Sequence, residues 1–415
     1  MPSRSSVLEA GVRPLLALAL LTSLNFLNYI DRYILAGVQP LVQQEFHKND
    51  AQIGFLTTAF FLCYMVASPL TGWIADHYSR RNLIITGAMI WSAATLLTAL
   101  THTYTELLIR HIVVGIGEAT FVAIAPAYIA DLFPQERRGR ILSLFYLAIP
   151  VGAALGYIIG GQLGTRYGWR SPFYVCAVPG MIIALLLFFL KEPPRGVFDT
   201  IAPSPERVKL SRLLKNSAFL TATLGMAMYT FAIGGMSVWM PTYLYRSRGI
   251  PLSRATLIFG AIAVATGIAG TAVGGWLGDA WLKRDHRAYY LLSGWSMLAC
   301  CPFAVLVFFG PAAWMFPSIS IALFLLFLNT GPMNTAIVNS VDAKVRAGAV
   351  AVNIFIIHLL GDASSPTLIG KIADHSNLAT GFIPAFVAIA LSALFVFWGA
   401  RHAPVPDLPS SRAHA

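Results

Sequence analysis

The sequence predicts an all-α polytopic membrane protein with twelve transmembrane helices in two six-helix bundles. Three observations predict it. The chain of 415 residues is 57% hydrophobic and 11% charged, where a soluble domain carries about 25% charged residues. Apolar runs of about 20 residues, long enough to cross hydrocarbon, recur along its whole length. One longer polar stretch, KEPPRGVFDTIAPSPERVKLSRLLKN at 191–216, divides them into two sets of six.

The spans are expected near 14–44, 51–75, 82–101, 107–131, 140–165 and 171–190, then near 217–244, 253–279, 288–310, 313–338, 347–370 and 379–400. This gives a first bundle at 1–190, a linker at 191–216 and a second bundle at 217–415. The first run continues through Asn28 and Tyr29 without a small-residue cleavage site, so it reads as a mature helix rather than a signal peptide. Lys and Arg number 16 in and beside the loops after even-numbered spans and 7 after odd-numbered ones. The basic side is the cytoplasmic one, so both termini are expected there, on a multi-pass protein of the cell (cytoplasmic or inner) membrane. The net charge of +11 therefore reports topology, and no nucleic-acid partner is expected. Cys63, Cys176, Cys300 and Cys301 all lie in apolar runs, without zinc-ligand spacing or a disulfide framework.

Span 1 carries two charges. Asp31 and Arg32 sit in NFLNYIDRYILAGVQP with no other formal charge from Pro14 to Glu45. An unpaired charge at that depth costs several kcal/mol, and a dozen uncharged residues on either side keep it from reaching the interface. The pair must face protein or a water-filled cavity. One reading is a structural ion pair tying span 1 to a neighbour; the other is a substrate or proton path, which intramembrane ionisable groups commonly mark. Glu118, in GIGEA of span 4, is the second deep acid of the first half.

The halves repeat. GWIADHYSRR starts at Gly72 and GWLGDAWLKR at Gly275, an offset of 203, each at the end of an even-numbered span. Parallel halves of six spans are the arrangement of the major facilitator superfamily. Within it the chain resembles the Spinster-like branch. The likeness is carried by NYIDRYILAGV, YMVASPLTGWIADHYSRR, GIGEATFVAIAPAYIADLF, FYLAIPVGAALGYIIGGQLG, KEPPRG, WMPTYL, LNTGPMN and HLLGDASSP, from about Asn25 to Gly370. The resemblance implies a secondary transporter of lysolipids or sphingoid lipids that works by alternating access, with the proton as coupling ion and no other cofactor. It implies a lipid or amphiphilic substrate, the bilayer as surroundings and a monomer.

The resemblance also places span 4 and HLLGDASSP at the transport cavity. The family's span-4 motif has Arg four residues before its first glycine; here that place is His111, with Arg110 one residue earlier. His111 and Glu118 are seven apart and share a helix face, whereas Arg110 is rotated about 80° from Glu118. Either His111 stands in for the arginine or a π-bulge returns Arg110 to the cavity; a histidine satisfied in the packed core is the plainer alternative. His358 and Asp362, four apart, have the spacing of a hydrogen-bonded pair on span 11, at the cavity or as a contact between helices. Asn329, Asn334 and Asn353 are weaker candidates for polar lining, since buried Asn often serves only interhelical bonds. Gly72, Asp76, Arg80 and Arg81, with Asp131 at the end of span 4, form a candidate cytoplasmic gate. Asp76 suits a helix N-terminus, and Arg80 or Arg81 suits Asp131. Gly152, Gly156, Gly160 and Gly164 repeat every fourth residue after Pro150, which permits close packing of span 5.

No Ser–His–Asp context, HExxH or phosphate-binding loop is present, so neither catalysis nor a metal site is expected. The expected cargo is an anionic amphiphile such as a lysophospholipid or a sphingosine-1-phosphate-like lipid. Arg32, with Arg110, would hold its head, and Asp31 and Glu118 would carry or sense protons. A small organic-anion or sugar-acid carrier of the same fold is the alternative, and a membrane enzyme or receptor without net transport is a second.

Overall fold

The structure, a computed structural model, describes residues 13–195, 213–341 and 345–404. Most of the expected linker therefore lies outside the described residues. Those described form helices and no strands. The membrane-length helices are α1 (Pro14–Phe46), α2 (Asp50–His77), α3 (Arg80–Thr98), α4 (Tyr104–Ala130), α5 (Arg137–Tyr167) and α6 (Ser171–Phe189). After the linker come α7 (Ser217–Arg246), α8 (Leu252–Leu282), α9 (Ala288–Phe309), α10 (Ala312–Asn339), α11 (Gly348–His375) and α12 (Leu378–Ala400). All but α3 are long and apolar enough to cross a membrane on their own. The α3 helix opens on Arg80, Arg81 and Asn82, and it buries Ile84, Ala88, Trp91, Ala94 and Thr95 among its neighbours.

Helix starts follow the capping residues. Asn49 and Gln52 form a reciprocal box at the start of α2, Asn49 Oδ1 accepting from Gln52 N at 2.9 Å. Ser79 and Thr103 cap α3 and α4 through their hydroxyls. Pro150 accounts for the break in α5 at Leu147, because proline lacks an N–H and crowds the carbonyl four residues back. The α-helical register of α11 is interrupted by a π-helical segment, His358–Asp362, with Gly361 at φ −100° and ψ −107°.

The chain forms two compact units. Among the described residues the first contains 13–195 with 234–264 and 362–383; the second contains 213–233, 265–341, 345–361 and 384–404. Segments of α7, α8, α11 and α12 therefore belong with α1–α6. In the first unit, α1 and α5 approach through the glycine row: a Cβ on Gly156 would lie 2.6 Å from the Ile30 carbonyl oxygen, and one on Gly160 2.8 Å from that of Ile34. The core of this unit includes Trp91, Phe121 and Phe145 in edge and tilted ring contacts. In the second unit Phe219, Tyr290, Met333, Ile337 and Val396 lie in one buried cluster.

A candidate transport site around Arg32

Arg32 projects from the middle of α1 toward α2 and α4. Its Nη2 and Nε donate to Glu118 Oε2 at 2.8 and 3.2 Å. Glu118 is fully buried and the Arg32 side chain is 12% exposed. Burying such charges is tolerable only when they are paired. Four aromatic rings complete the surroundings: Tyr29, Tyr64, Phe60 and Phe61 place their centroids 5.0, 5.1, 5.2 and 5.7 Å from the guanidinium carbon. Rings at that range favour a cation through their quadrupoles. The result is a fixed positive charge in an apolar box, with one acid in contact.

Asp31 takes no part in it. Its Oδ2 accepts from Thr95 Oγ1 of α3 at 3.3 Å, and its Oδ1 has no hydrogen-bond partner among the described residues. Consecutive helix residues point about 100° apart, so Arg32 turns to α2 and α4 while Asp31 turns to α3. The expectation that both face one site is corrected accordingly. The choice at the start of α4 also resolves. The helix is α-helical from Tyr104 to Ala130, without a π-bulge. Arg110 donates to the Leu97 carbonyl at the end of α3, and buried His111 lies 5.3 Å from the Phe60 ring. His111 thus adjoins the aromatic box and Arg110 does not.

The family model of the Major Facilitator Superfamily matches residues 21–366. Protein spinster homolog 1 of Xenopus tropicalis is 35% identical over 388 residues, 88% of this chain and 73% of that protein. Sphingosine-1-phosphate transporter SPNS2 of Danio rerio is 36% identical over 404 residues, 91% of this chain and 80% of that protein. The chain belongs to the Spinster family of the major facilitator superfamily. In architecture the Spinster-family chain resembles the crystal structure of a bacterial homolog to the human lysosomal transporter Spinster, in an inward-facing and unoccupied conformation. The TM-score is 0.83 at 24% identity, over 93% of this chain and 97% of that one. A D-xylose–proton symporter shares the fold at TM-score 0.73 and 18% identity, over 92% and 97% of the two chains.

In the Spinster-family chain the second-half candidates lie on α10 and α11. His358 and Asp362 bound the π segment of α11, within which Gly361 leaves the helical φ/ψ region. Asn329 donates to the Leu325 carbonyl at 2.8 Å and Asn334 to that of Thr330 at 2.7 Å. Both amides bond back to their own helix, and Asn334 is exposed. Asn353 is buried, with Met226 Sδ at 3.7 Å.

At the loop end, Arg80 pairs with Asp131, and Arg81 donates to the Leu190 carbonyl at 2.7 Å. Asp76 is exposed on the last turn of α2 and its carboxylate has no partner among the described residues, and a Cβ on Gly72 would meet nothing within 4 Å. The anion at a helix N-terminus here is Glu192, which accepts from Arg80 N at 2.9 Å and from the Ser79 hydroxyl. Arg195 donates to the carbonyls of Ala75 and Tyr78 at 2.8 and 2.7 Å, and to that of Asp76 at 2.5 Å, closing the C-terminus of α2. Sequence reasoning missed these two because they read as the start of a linker; their Pro-bounded motif KEPPRG was the available signal.

The opposite end of the first unit holds a second unforeseen cluster. Asp374 of α11 accepts from the backbone N–H groups of Asp50 and Ala51 at 2.7 and 2.9 Å. Arg246 of α7 and Gln43 of α1 each donate to Asp50 Oδ1 at 2.6 Å. One layer deeper, Thr58 and Thr367 share a hydroxyl hydrogen bond of 2.7 Å. Gly54 faces the Pro366 carbonyl and Gly370 faces that of Asp50, each too close to admit a Cβ. These charges look like ordinary loop solubilisers in the sequence.

Proposed function

We propose that this Spinster-family chain moves an anionic amphiphile, a lysophospholipid or a sphingosine-1-phosphate-like lipid, across the membrane by alternating access. The observation that carries the reading is Arg32 held between Glu118 and four aromatic rings. A guanidinium keeps its charge and offers a planar fork suited to phosphate, and Glu118 is an acid that can release it. The name of the Danio rerio relative supports the lipid class. The proton is the proposed coupling ion, with Glu118 as the acid that trades places with the head group at Arg32. The chain works as a monomer in the cell membrane with both termini on the basic, cytoplasmic side. The Arg80–Asp131 pair lies at the proposed cytoplasmic gate, and the Asp50–Arg246–Asp374 cluster at the opposite one.

The test is flux into vesicles loaded with purified protein. Labelled sphingosine-1-phosphate or lysophosphatidate should cross, faster with an imposed pH gradient, and excess lipid rather than sugar acid should compete. Competition by sugar acid alone would replace the reading with an organic-anion carrier. Binding without flux would replace it with a receptor.

A further inference from the structure

Beside the Arg32–Glu118 pair lies a side chain whose hydrogen bonds are unmade. Asn28 is fully buried, and neither its Nδ2 nor its Oδ1 has a hydrogen-bond partner among the described residues; the same is true of Glu118 Oε1. Asn28 stands four residues before Arg32 on α1, so the two side chains share a helix face. Its amide faces the Glu118 carboxyl at the edge of hydrogen-bonding range, without the length and angle of a formed hydrogen bond. Buried polar groups are nearly always satisfied. Two unsatisfied groups side by side, one rich in donors and one an acceptor, mark a contact made in another state.

We propose that Asn28 is a positioning residue for Glu118: its Nδ2 donates to the carboxylate when Arg32 leaves Glu118 for an anionic head group. The proposal rests on the reading of Arg32 as the head-group cation. The exchange has a physical reason. A carboxylate stripped of its arginine inside the bundle is heavily penalised without a donor, so Arg32 cannot leave unless something replaces it. Asn28 is already in place, uses no charge, and does not compete for the head group. Without it, Arg32 stays on Glu118 and the substrate meets an occupied cation.

Two measurements test this. The first needs no ligand. N28L removes both polar atoms at nearly constant size. In the otherwise wild-type protein the amide is unpaired, so N28L should leave Tm within about 2 °C. In an R32M background Asn28 becomes the carboxylate's donor, and N28L should lower Tm by a further ~3 °C or more. In R32M/E118M it should again do nothing; R32Q serves as background if R32M does not fold. Equal Tm shifts in all backgrounds would mean ordinary packing and overturn the proposal. The second measurement is the Kd for sphingosine-1-phosphate. N28L should weaken binding about tenfold in the wild-type background, the size expected for a hydrogen bond to a charged group, and by no more than about twofold in E118Q, where Arg32 is no longer held. A tenfold loss in both backgrounds would overturn it. Wild-type protein that does not bind this lipid counts against the substrate reading, and the thermal comparison then decides on Asn28 by itself.

Discussion

Asp31 and Arg32 are adjacent in the chain and belong to different networks. Arg32 closes onto Glu118 of α4 at 2.8 Å, while Asp31 accepts from Thr95 of α3 at 3.3 Å. The acid that competes with a head group for Arg32 is therefore Glu118, not the residue beside it. A charge on Asp31 is buried without a cation in contact, so Asp31 influences transport through how α1 and α3 pack, through its own proton, or through its charge on Glu118.

Removing the guanidinium should abolish function and leave the fold. R32A is expected to give folded, membrane-inserted protein with no lipid flux above empty vesicles. R32K should recover less than about a tenth of wild-type flux, because the ammonium restores charge without the planar fork. Wild-type-like flux by R32A, measured beside its elution profile, would remove Arg32 from the site.

Protonating Glu118 frees Arg32, so lipid binding should strengthen as pH falls, as long as the head group stays ionised. E118Q mimics the protonated form. It should bind at least as tightly as wild type, lose its pH dependence, and lose accumulation driven by a pH gradient. D31N should change Kd less than E118Q does, since Asp31 makes no contact with Arg32 and acts on Glu118 only through its charge. Isothermal titration across pH with paired flux assays checks all three. A flat pH profile in D31N and a normal one in E118Q would transfer the proton role to Asp31.

Asp374 caps the first turn of α2 across a wide gap in sequence, and caps are worth about 1 kcal/mol. D374A should therefore shift the two-state equilibrium about fivefold toward separation of α2 and α11 at that end. G370L should shift it further, because a side chain there meets the Asp50 carbonyl. The measurement is the labelling rate of a cysteine placed at Thr58, using a membrane-impermeant maleimide. Rates unchanged by both substitutions would mean that the cluster does not control access.

Glu192 and Arg195 close the facing ends of α3 and α2. E192Q removes an anion from a helix N-terminus, worth 0.3–1 kcal/mol in typical cases, so about 1–3 °C in Tm. R195A should cost about as much, and D76N close to nothing, because the Asp76 carboxylate is exposed and has no partner among the described residues. Thermal melts of the three variants in detergent provide the comparison, and spin-label distances across the loop end show whether D76N moves the gate populations. A D76N melt lowered as much as that of E192Q would restore Asp76 to the network.

Much of this was legible before the fold was known. Twelve apolar runs locate the helices because hydrocarbon leaves little choice, and Arg32 and Glu118 stand out because charges in such runs need a reason. Which partner each takes was not legible: Asp31 is nearer to Arg32 in sequence, and only helical phase and the position of α4 assign Glu118. Phase did favour His111 over Arg110, and the continuous α4 helix agrees. The π segment at His358–Asp362 leaves no mark in a pattern read at 3.6 residues per turn. Asn28 was passed over because an amide is cheap enough in a membrane helix to draw no attention. Asp50, Arg246 and Asp374 were passed over because charges near span ends are ordinary.

The main-chain contact of Gly54 and Gly370 bears on insulation as well as on motion. A carrier driven by an ion gradient loses its supply whenever its own seams conduct, and protons travel readily along files of water. Where Gly54 meets the Pro366 carbonyl and Gly370 that of Asp50, α2 and α11 approach too closely to admit a Cβ, and such an approach leaves little room for a file of water. A larger residue at either place would do more than slow turnover. It would open a standing leak, and a cell expressing that variant should show a partly collapsed membrane potential even with no lipid to carry.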